Sequence, residues 1–207
     1  MVKMRVYEIF TSFQGEGKNQ GRRCTFLRLA GCNLDCRWCD TPHARDPSAG
    51  IEMSKDEIID AIQENGVGYV CITGGEPLLQ MENLLVVLRT LSLMGYEIEI
   101  ETNGTIRFDL VQPFASVCMD VKCPSSGEKS DHVLLGGIQA VDSVKFVVAD
   151  DADLAYADDL LRSVQIAGDV FISPVHGSDL RMIAEHLLSW DHRFRLQLQL
   201  HKQIGVR

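Results

Sequence analysis

CTFLRLAGCNLDCRWCDTP, residues 24–42, runs a short apolar segment straight into a loop carrying Cys32, Cys36 and Cys39. Residues 24–30 have the length and side chains of a buried strand. The same pattern, a short strand ending in a glycine-rich polar loop, returns along the chain. Strand 69–73 leads into Gly74-Gly75-Glu76-Pro77, and strand 97–101 into Thr102-Asn103-Gly104. Strand 116–121 leads into Lys122-Cys123-Pro124-Ser125-Ser126-Gly127, and strand 169–173 into Pro174-Val175-His176-Gly177. Residues 194–200, FRLQLQL, read as a strand ending at His201-Lys202, and further strands are expected at 5–10 and 143–148.

Amphipathic helices lie between several of these strands. The first begins at the capping box Ser54-Lys-Asp-Glu57 and stops at Gly66. Others are expected over about 82–94, 151–165 and 178–190. Residues 102–115 and 122–142 also separate strands, yet they hold Gly, Pro, Ser and Asn rather than a helical stripe. Alternating strands and helices imply a parallel sheet with crossover connections. A closed eight-fold barrel needs about 250 residues, and the chain has 207. The expected fold is therefore α/β: an open, partial (β/α) barrel, mostly parallel, with some crossover helices reduced to loops. In such sheets ligands bind beyond the carboxyl ends of the strands, so the polar loops point to one shared site.

Composition narrows the class. The chain is 45% hydrophobic and 24% charged, which is ordinary for a soluble domain. A single domain over 1–207 is the expectation. The net charge of −9 argues against direct contact with nucleic acid. No apolar run reaches the length of a membrane span, and MVKMRVYEIF lacks a secretory apolar region, so a cytoplasmic location is expected. In that reducing compartment seven cysteines are not a disulfide framework.

The cluster of three cysteines is then metal-binding or catalytic. Zinc sites usually draw on two separated ligand pairs, and zinc here would need a remote ligand such as Cys24 or His43. A four-iron cluster held by three thiolates instead leaves one iron open to a substrate or cosubstrate. Cys24, Cys71 and Cys118 sit inside strands and read as buried small hydrophobes.

The C-x3-C-x2-C loop with Trp38, followed by Thr73-Gly74-Gly75-Glu76-Pro77, resembles the radical S-adenosylmethionine superfamily. Ser12-Phe13-Gln14-Gly15-Glu16-Gly17, Asp40-Thr41 and the terminal His201-Lys202-Gln-Ile-Gly-Val-Arg207 look like the 7-carboxy-7-deazaguanine synthase family, so the resemblance covers nearly the whole chain. It implies a [4Fe-4S] cluster on Cys32, Cys36 and Cys39, with S-adenosylmethionine on the open iron. It implies conversion of 6-carboxy-5,6,7,8-tetrahydropterin to 7-carboxy-7-deazaguanine with loss of ammonia, towards the tRNA bases queuosine and archaeosine. It also implies Mg²⁺ at Thr41, a flavodoxin or ferredoxin-type electron donor, and a homodimer.

The residue types suit that substrate. An ionised carboxylate accepts two adjacent N–H donors, which Glu16 would offer to the pterin edge beside Gln14. A guanidinium fork matches the substrate carboxylate, a role for Arg28. By resemblance, Phe13, Gly15, Thr73, His201 and the α-carboxylate of Arg207 join the substrate site. Gly74, Gly75 and Glu76 would contact S-adenosylmethionine, together with Cys123, Pro124, Ser125, Ser173, Pro174, Val175 and His176. Glu101, Asn103 and Lys122 are rim candidates without a role. Two other readings share the cysteines: an activase abstracting hydrogen from a glycine of a partner protein, and an iron–sulfur electron carrier. The first gives no use to Gln14–Gly17, and the second needs a fourth cluster ligand.

Overall fold

Side chains of a strand alternate between its two faces, and in this chain the alternation separates an apolar face from a polar one. The computed structural model describes residues 2–206. Val70 and Ile72, Ile98 and Ile100, Val117, Met119 and Val121, then Val144, Phe146 and Val148 all enter one hydrophobic core under the helices. Their strand neighbours Cys71, Glu99, Glu101, Cys118, Asp120, Lys122 and Lys145 turn the other way. On that second face Glu101, Asp120, Lys122 and Lys145 line a cavity.

Nine strands among the described residues form one open sheet, ordered β3-β1-β2-β4-β5-β6-β7-β8-β9. β1 (Lys3–Phe13) runs antiparallel to both β2 (Arg23–Leu29) and β3 (Ile51–Ser54). From β2 onward neighbouring strands are parallel: β4 (Tyr69–Gly74), β5 (Glu97–Thr102), β6 (Ser116–Lys122), β7 (Ser143–Val148), β8 (Asp169–Pro174) and β9 (Arg195–Leu196). The helices α1 (Lys55–Glu64), α2 (Met81–Leu93), α3 (Asp151–Ser163) and α4 (Leu180–Leu187) supply crossovers, and α5 (Leu200–Ile204) ends the described chain. The open, mostly parallel architecture is the one expected. The antiparallel β3 arm is an addition that the short run Ile51–Ser54 did not signal.

The capping box at α1 is present, with the Ser54 hydroxyl accepting from the Glu57 amide and the Glu57 carboxylate accepting from Ser54 N. One correction concerns the chain end. The strand expected over 194–200 is cut to Arg195–Leu196, and His201 and Lys202 lie on α5. Glutamine side chains replace the ladder there: Gln197 exchanges two hydrogen bonds with the Gly17 backbone, at 2.6 and 2.8 Å. The Leu200 amide meanwhile donates to Gly15 O at 2.9 Å. A period-two pattern thus serves loop docking rather than strand pairing.

The two crossovers without an α-helix are held by one buried acid. Asp142 accepts from Val117 N at 2.9 Å, Gln139 N at 2.9 Å and Gln112 Nε2 at 2.7 Å. It therefore ties the segment before β6 to the turn before β7, where a helix would otherwise bridge. Asp142→Ala leaves buried donors unpaired and is expected to cost about 2–4 kcal/mol in urea unfolding. Asp131→Ala, which removes a cap from an exposed turn, is expected to cost about 1 kcal/mol or less. Equal losses would show that Asp142 is not the tie.

Candidate active site

The cysteine loop owes its position to backbone packing. Gly31 N and Cys32 N donate to Ala44 O and Arg45 O, both at 2.9 Å, which closes the loop on itself. Gly75 N and Glu76 N then donate to Leu29 O and Gly31 O, at 2.9 and 2.8 Å. A Cβ at Gly74 would lie 2.1 Å from Leu29 O, and one at Gly75 would lie 2.0 Å from Gly31 O. Gly74 also has φ +131, which L side chains rarely adopt. The bareness of both glycines is thus used first by the cysteine loop itself.

Cys32, Cys36 and Cys39 all line one cavity of about 560 Å³ at the carboxyl rim of the sheet. That size suits a small organic ligand. Thr41, Thr73, Gly74, Gly75, Val175, His176 and His201 line it as well, with Phe13, Gln14, Gly15, Glu16 and Arg28 on one wall. The three thiols are half-buried. Burial pushes Cys36 up to about 11 despite the nearby Lys122 ammonium, and it raises Cys32 as well. Protons on such thiols give way readily only to a coordinated metal. The Leu34 amide and the Asn103 side-chain amide point at Cys32 Sγ, 3.5 and 3.9 Å away. Three soft donors turned into one cavity, with amide N–H groups aimed at a sulfur, fit an iron–sulfur cluster with one open corner.

Several side chains expected to touch a cosubstrate serve the protein instead. Glu76 is fully buried, accepting from Leu78 N, Thr102 Oγ1 and Asn103 N, the last at 2.7 Å. It anchors the Asn103 turn, and Asn103 in turn holds Asn33 of the cysteine loop at 3.0 Å. Cys123 packs in the hydrophobic core, its thiol beside its own strand. The Ser125 hydroxyl lies 3.0 Å from Trp38 Nε1, from which it accepts. Ser173 is fully buried and donates to Glu16. Pro124 opens a single 3₁₀ turn and Pro174 ends β8, and neither lines the cavity. Of the two loops, only Val175 and His176 reach it.

The floor of the cavity is a charged network that the motifs did not reveal. Lys145 donates to Glu16 Oε2 at 2.7 Å, and Lys122 donates to Asp120 Oδ2 at 2.6 Å. Lys122 also sits 5.2 Å above the Trp38 ring, a cation–π contact that brings the cysteine loop onto the floor. The Gln14 amide donates to Glu99 Oε1 at 2.9 Å and to Glu101 Oε1 at 3.0 Å. Burial and the neighbouring Glu101 push the Glu99 carboxyl up to about 7, against hydrogen bonds from Asn19 and Gln14. Glu16 Oε1 accepts from Gln199 at 3.0 Å and Ser173 at 3.4 Å, so protein donors hold both its oxygens. Arg28 donates from Nε to Glu8 at 2.9 Å, which sets the direction of its guanidinium.

Sequence reasoning placed Gln14, Glu16 and Arg28 here but passed over Lys145, Asp120, Glu99 and Gln199. The available signal was strand periodicity: EIEIE puts Glu99 and Glu101 opposite Ile98 and Ile100, and SVKFVV sets one lysine amid apolar residues. Tail and cysteine loop also meet, with Asp40 lying 3.7 Å from both His201 and Lys202. Arg207 lies outside the described residues.

The chain is similar to known proteins in sequence and fold. Residues 27–121 match the family model of the Radical SAM superfamily. The chain is 48% identical over 203 residues to a 7-carboxy-7-deazaguanine synthase of Methanospirillum hungatei JF-1, covering 98% of this chain and 86% of that protein. It is 36% identical to one of Thermoplasma acidophilum, covering 97% of each. The crystal structure of QueE from Escherichia coli has a similar fold, with a TM-score of 0.79 over 97% of this chain and 96% of that one, at 24% identity. SuiB of Streptococcus suis, solved bound to S-adenosylmethionine, shares the fold at a TM-score of 0.54 and 14% identity, over 84% of this chain and 46% of that one. The chain belongs to the 7-carboxy-7-deazaguanine synthase family, radical S-adenosylmethionine enzymes whose chemistry calls for a [4Fe-4S] cluster and S-adenosylmethionine.

Proposed function

We propose that this chain, as one radical SAM domain over residues 1–207, converts 6-carboxy-5,6,7,8-tetrahydropterin to 7-carboxy-7-deazaguanine with loss of ammonia. This is a carbon–nitrogen lyase reaction supplying 7-deazapurine tRNA bases, queuosine or archaeosine. The supporting observation is the cavity itself, which is lined both by the three cysteines and by a floor of paired carboxylates. When bound, the cluster and S-adenosylmethionine supply a carbon-centred radical for hydrogen abstraction.

The chain's own residues bind and orient. Cys32, Cys36 and Cys39 hold the cluster, and the backbone at Gly74 and Gly75 meets the methionine end of the cosubstrate, with Val175 and His176 nearer the nucleoside. Arg28, aimed by Glu8, receives the substrate carboxylate as a forked ion pair. Glu16 keeps lone-pair capacity beyond its three protein donors and accepts from the pterin N–H edge. Gln14 is fixed with its NH₂ towards Glu99 and Glu101, which leaves its carbonyl as an acceptor. His201 and the α-carboxylate of Arg207 close the substrate side.

Thr41, which lines the cavity 4.0 Å from Cys39 Sγ, gives one hard oxygen. A Mg²⁺ ion there would take its other ligands from substrate and water. A flavodoxin or ferredoxin-type donor would reduce the cluster, and a cytoplasmic homodimer is the working assembly. A membrane role is not proposed, since no helix among the described residues is long and apolar enough to cross a membrane. Nor is direct tRNA contact, given the net charge of −9.

The test of the reading is anaerobic reconstitution with iron and sulfide, then carboxytetrahydropterin, S-adenosylmethionine and dithionite, with chromatography for the deazaguanine product. Absence of product with intact cosubstrate cleavage would refute the pterin assignment. Alanine at Cys32, Cys36 or Cys39 is expected to abolish iron loading and deoxyadenosine formation, whereas Cys71→Ala stays within a few-fold of the parent. Iron loss in Cys71→Ala equal to that in Cys36→Ala would reverse the ligand assignment.

Gly15 offers a second probe, because a Cβ there would lie 1.9 Å from His201 Nδ1. Gly15→Ala must push the imidazole aside, and it is expected to raise the KM for the pterin by about tenfold, a loss of about 1.4 kcal/mol. Cosubstrate cleavage without pterin should persist. An unchanged KM would remove His201 from the substrate site.

A further inference from the structure

Lys145 sits in the middle of β7, a strand buried along its whole length, and its side chain is only 3% exposed. No motif marks it. Its ammonium lies 2.7 Å from Glu16 Oε2, 3.7 Å from Glu101 Oε2 and 3.8 Å from Asp120 Oδ1. The three acids come from separate places: the loop after β1, the end of β5 and the middle of β6. All three line the substrate cavity, as does Lys145. Asp120 Oδ1 is buried without a hydrogen-bond partner among the described residues, so its contact with Lys145 is purely electrostatic.

A buried ammonium without partners sheds its proton, and buried carboxylates without a cation gain protons. We infer that Lys145 is a positioning residue of the pterin pocket, holding Glu16 and Glu101 together as anions that face the substrate's N–H edge. This rests on the pterin reading above. Glu16 touches no other ammonium or guanidinium within ion-pair distance among the described residues. The other ammonium on the floor, Lys122, is paired with Asp120.

The surroundings of Glu101 set the sign of the effect. Burial raises its carboxyl; the Lys145 ammonium lowers it, Glu16 and Asp120 raise it, and the Gln14 amide lowers it again. Glu99, with the Cys71 and Cys118 thiols, lies on the same face from β4, β5 and β6. Around Lys145 itself, burial opposes the charge and Asp120, Glu16 and Glu101 more than reverse that. Removing the ammonium should therefore make the Glu101 carboxylate protonate at higher pH. Removing Asp120 should do the opposite, because its negative charge raises Glu101 and competes for the same ammonium.

The probe is 6-carboxypterin, the oxidised fluorescent counterpart of the substrate, titrated into the reconstituted enzyme with S-adenosylmethionine present. Affinity is read from about pH 5.5 to 9, across the raised carboxyl range. Lys145→Met is expected to weaken binding about tenfold near neutral pH and to move the acidic midpoint up by about one unit. Asp120→Asn is expected to move that midpoint down. Lost affinity in Lys145→Met with no midpoint shift, or shifts of the same sign in both variants, would overturn the assignment. Should Lys145→Met fail to fold by circular dichroism, Asp120→Asn decides alone: a downward shift supports the assignment, and an unchanged or upward one overturns it. A parent enzyme that does not bind 6-carboxypterin would overturn the pterin reading and this inference with it, whereas normal parent binding with unshifted variants would overturn this inference only.

Discussion

One ammonium buried among three carboxylates is the constraint around which the polar face is organised. Charges removed from water survive only when paired, and breaking such a pair costs far more than making it gains. Lys145 can remain charged in the centre of β7 because Glu16, Glu101 and Asp120 converge on it from three other segments. The requirement acts in reverse as well. Those segments must stay where they are, since each acid would otherwise face the same cavity with less compensation. Polar residues on one strand face thus do the joining that apolar side chains do on the other.

From that floor the rest of the site follows by short links. Glu16 reaches the chain end through Gln199, and Gln197 grips the backbone one position further along at Gly17. The last helix is therefore strapped across the QGEG loop, with His201 against Gly15 and within reach of Asp40. On the opposite side Glu76 fixes the Asn103 turn, and Asn103 steadies the cysteine loop through Asn33. Lys122 above Trp38 brings the two sides together. The cavity wall is thus a chain of particular polar contacts rather than one apolar shell.

The glycine-rich turn after β4 illustrates how one sequence feature can carry two demands. Gly74 and Gly75 are bare partly because the backbone of residues 29–31 fills the space a side chain would need. That close packing sets the cysteine loop beside the end of β4, which in turn leaves backbone groups at the cavity rim. A contact with a cosubstrate there would be a consequence of the packing, not its alternative.

The sequence alone determined most of the element order, β3 and the chain end apart, together with the open α/β architecture and the rim on which function collects. Strand periodicity, the Ser54 capping box and the C-x3-C-x2-C loop are local patterns, and local patterns are readable without coordinates. Gln14 and Glu16 were legible because they stand in a short polar run beside glycines, Arg28 as a lone cation in the apolar run 24–30, and His201 as the start of the polar tail. Tertiary structure decided what no local pattern encodes. It gave Lys145 its three partners, since a lysine within SVKFVV has no sequence neighbour that announces an acid 129 residues away. It sent the side chains of Glu76, Cys123 and Ser173 into the protein, because a strand-end position does not say which way a side chain turns. It turned the alternating glutamines of 194–200 from a strand into a clasp, since their hydrogen bonds go to a loop nearly the whole chain length away. Pairing across long separations depends on which strands become neighbours, and only the folded sheet fixes that.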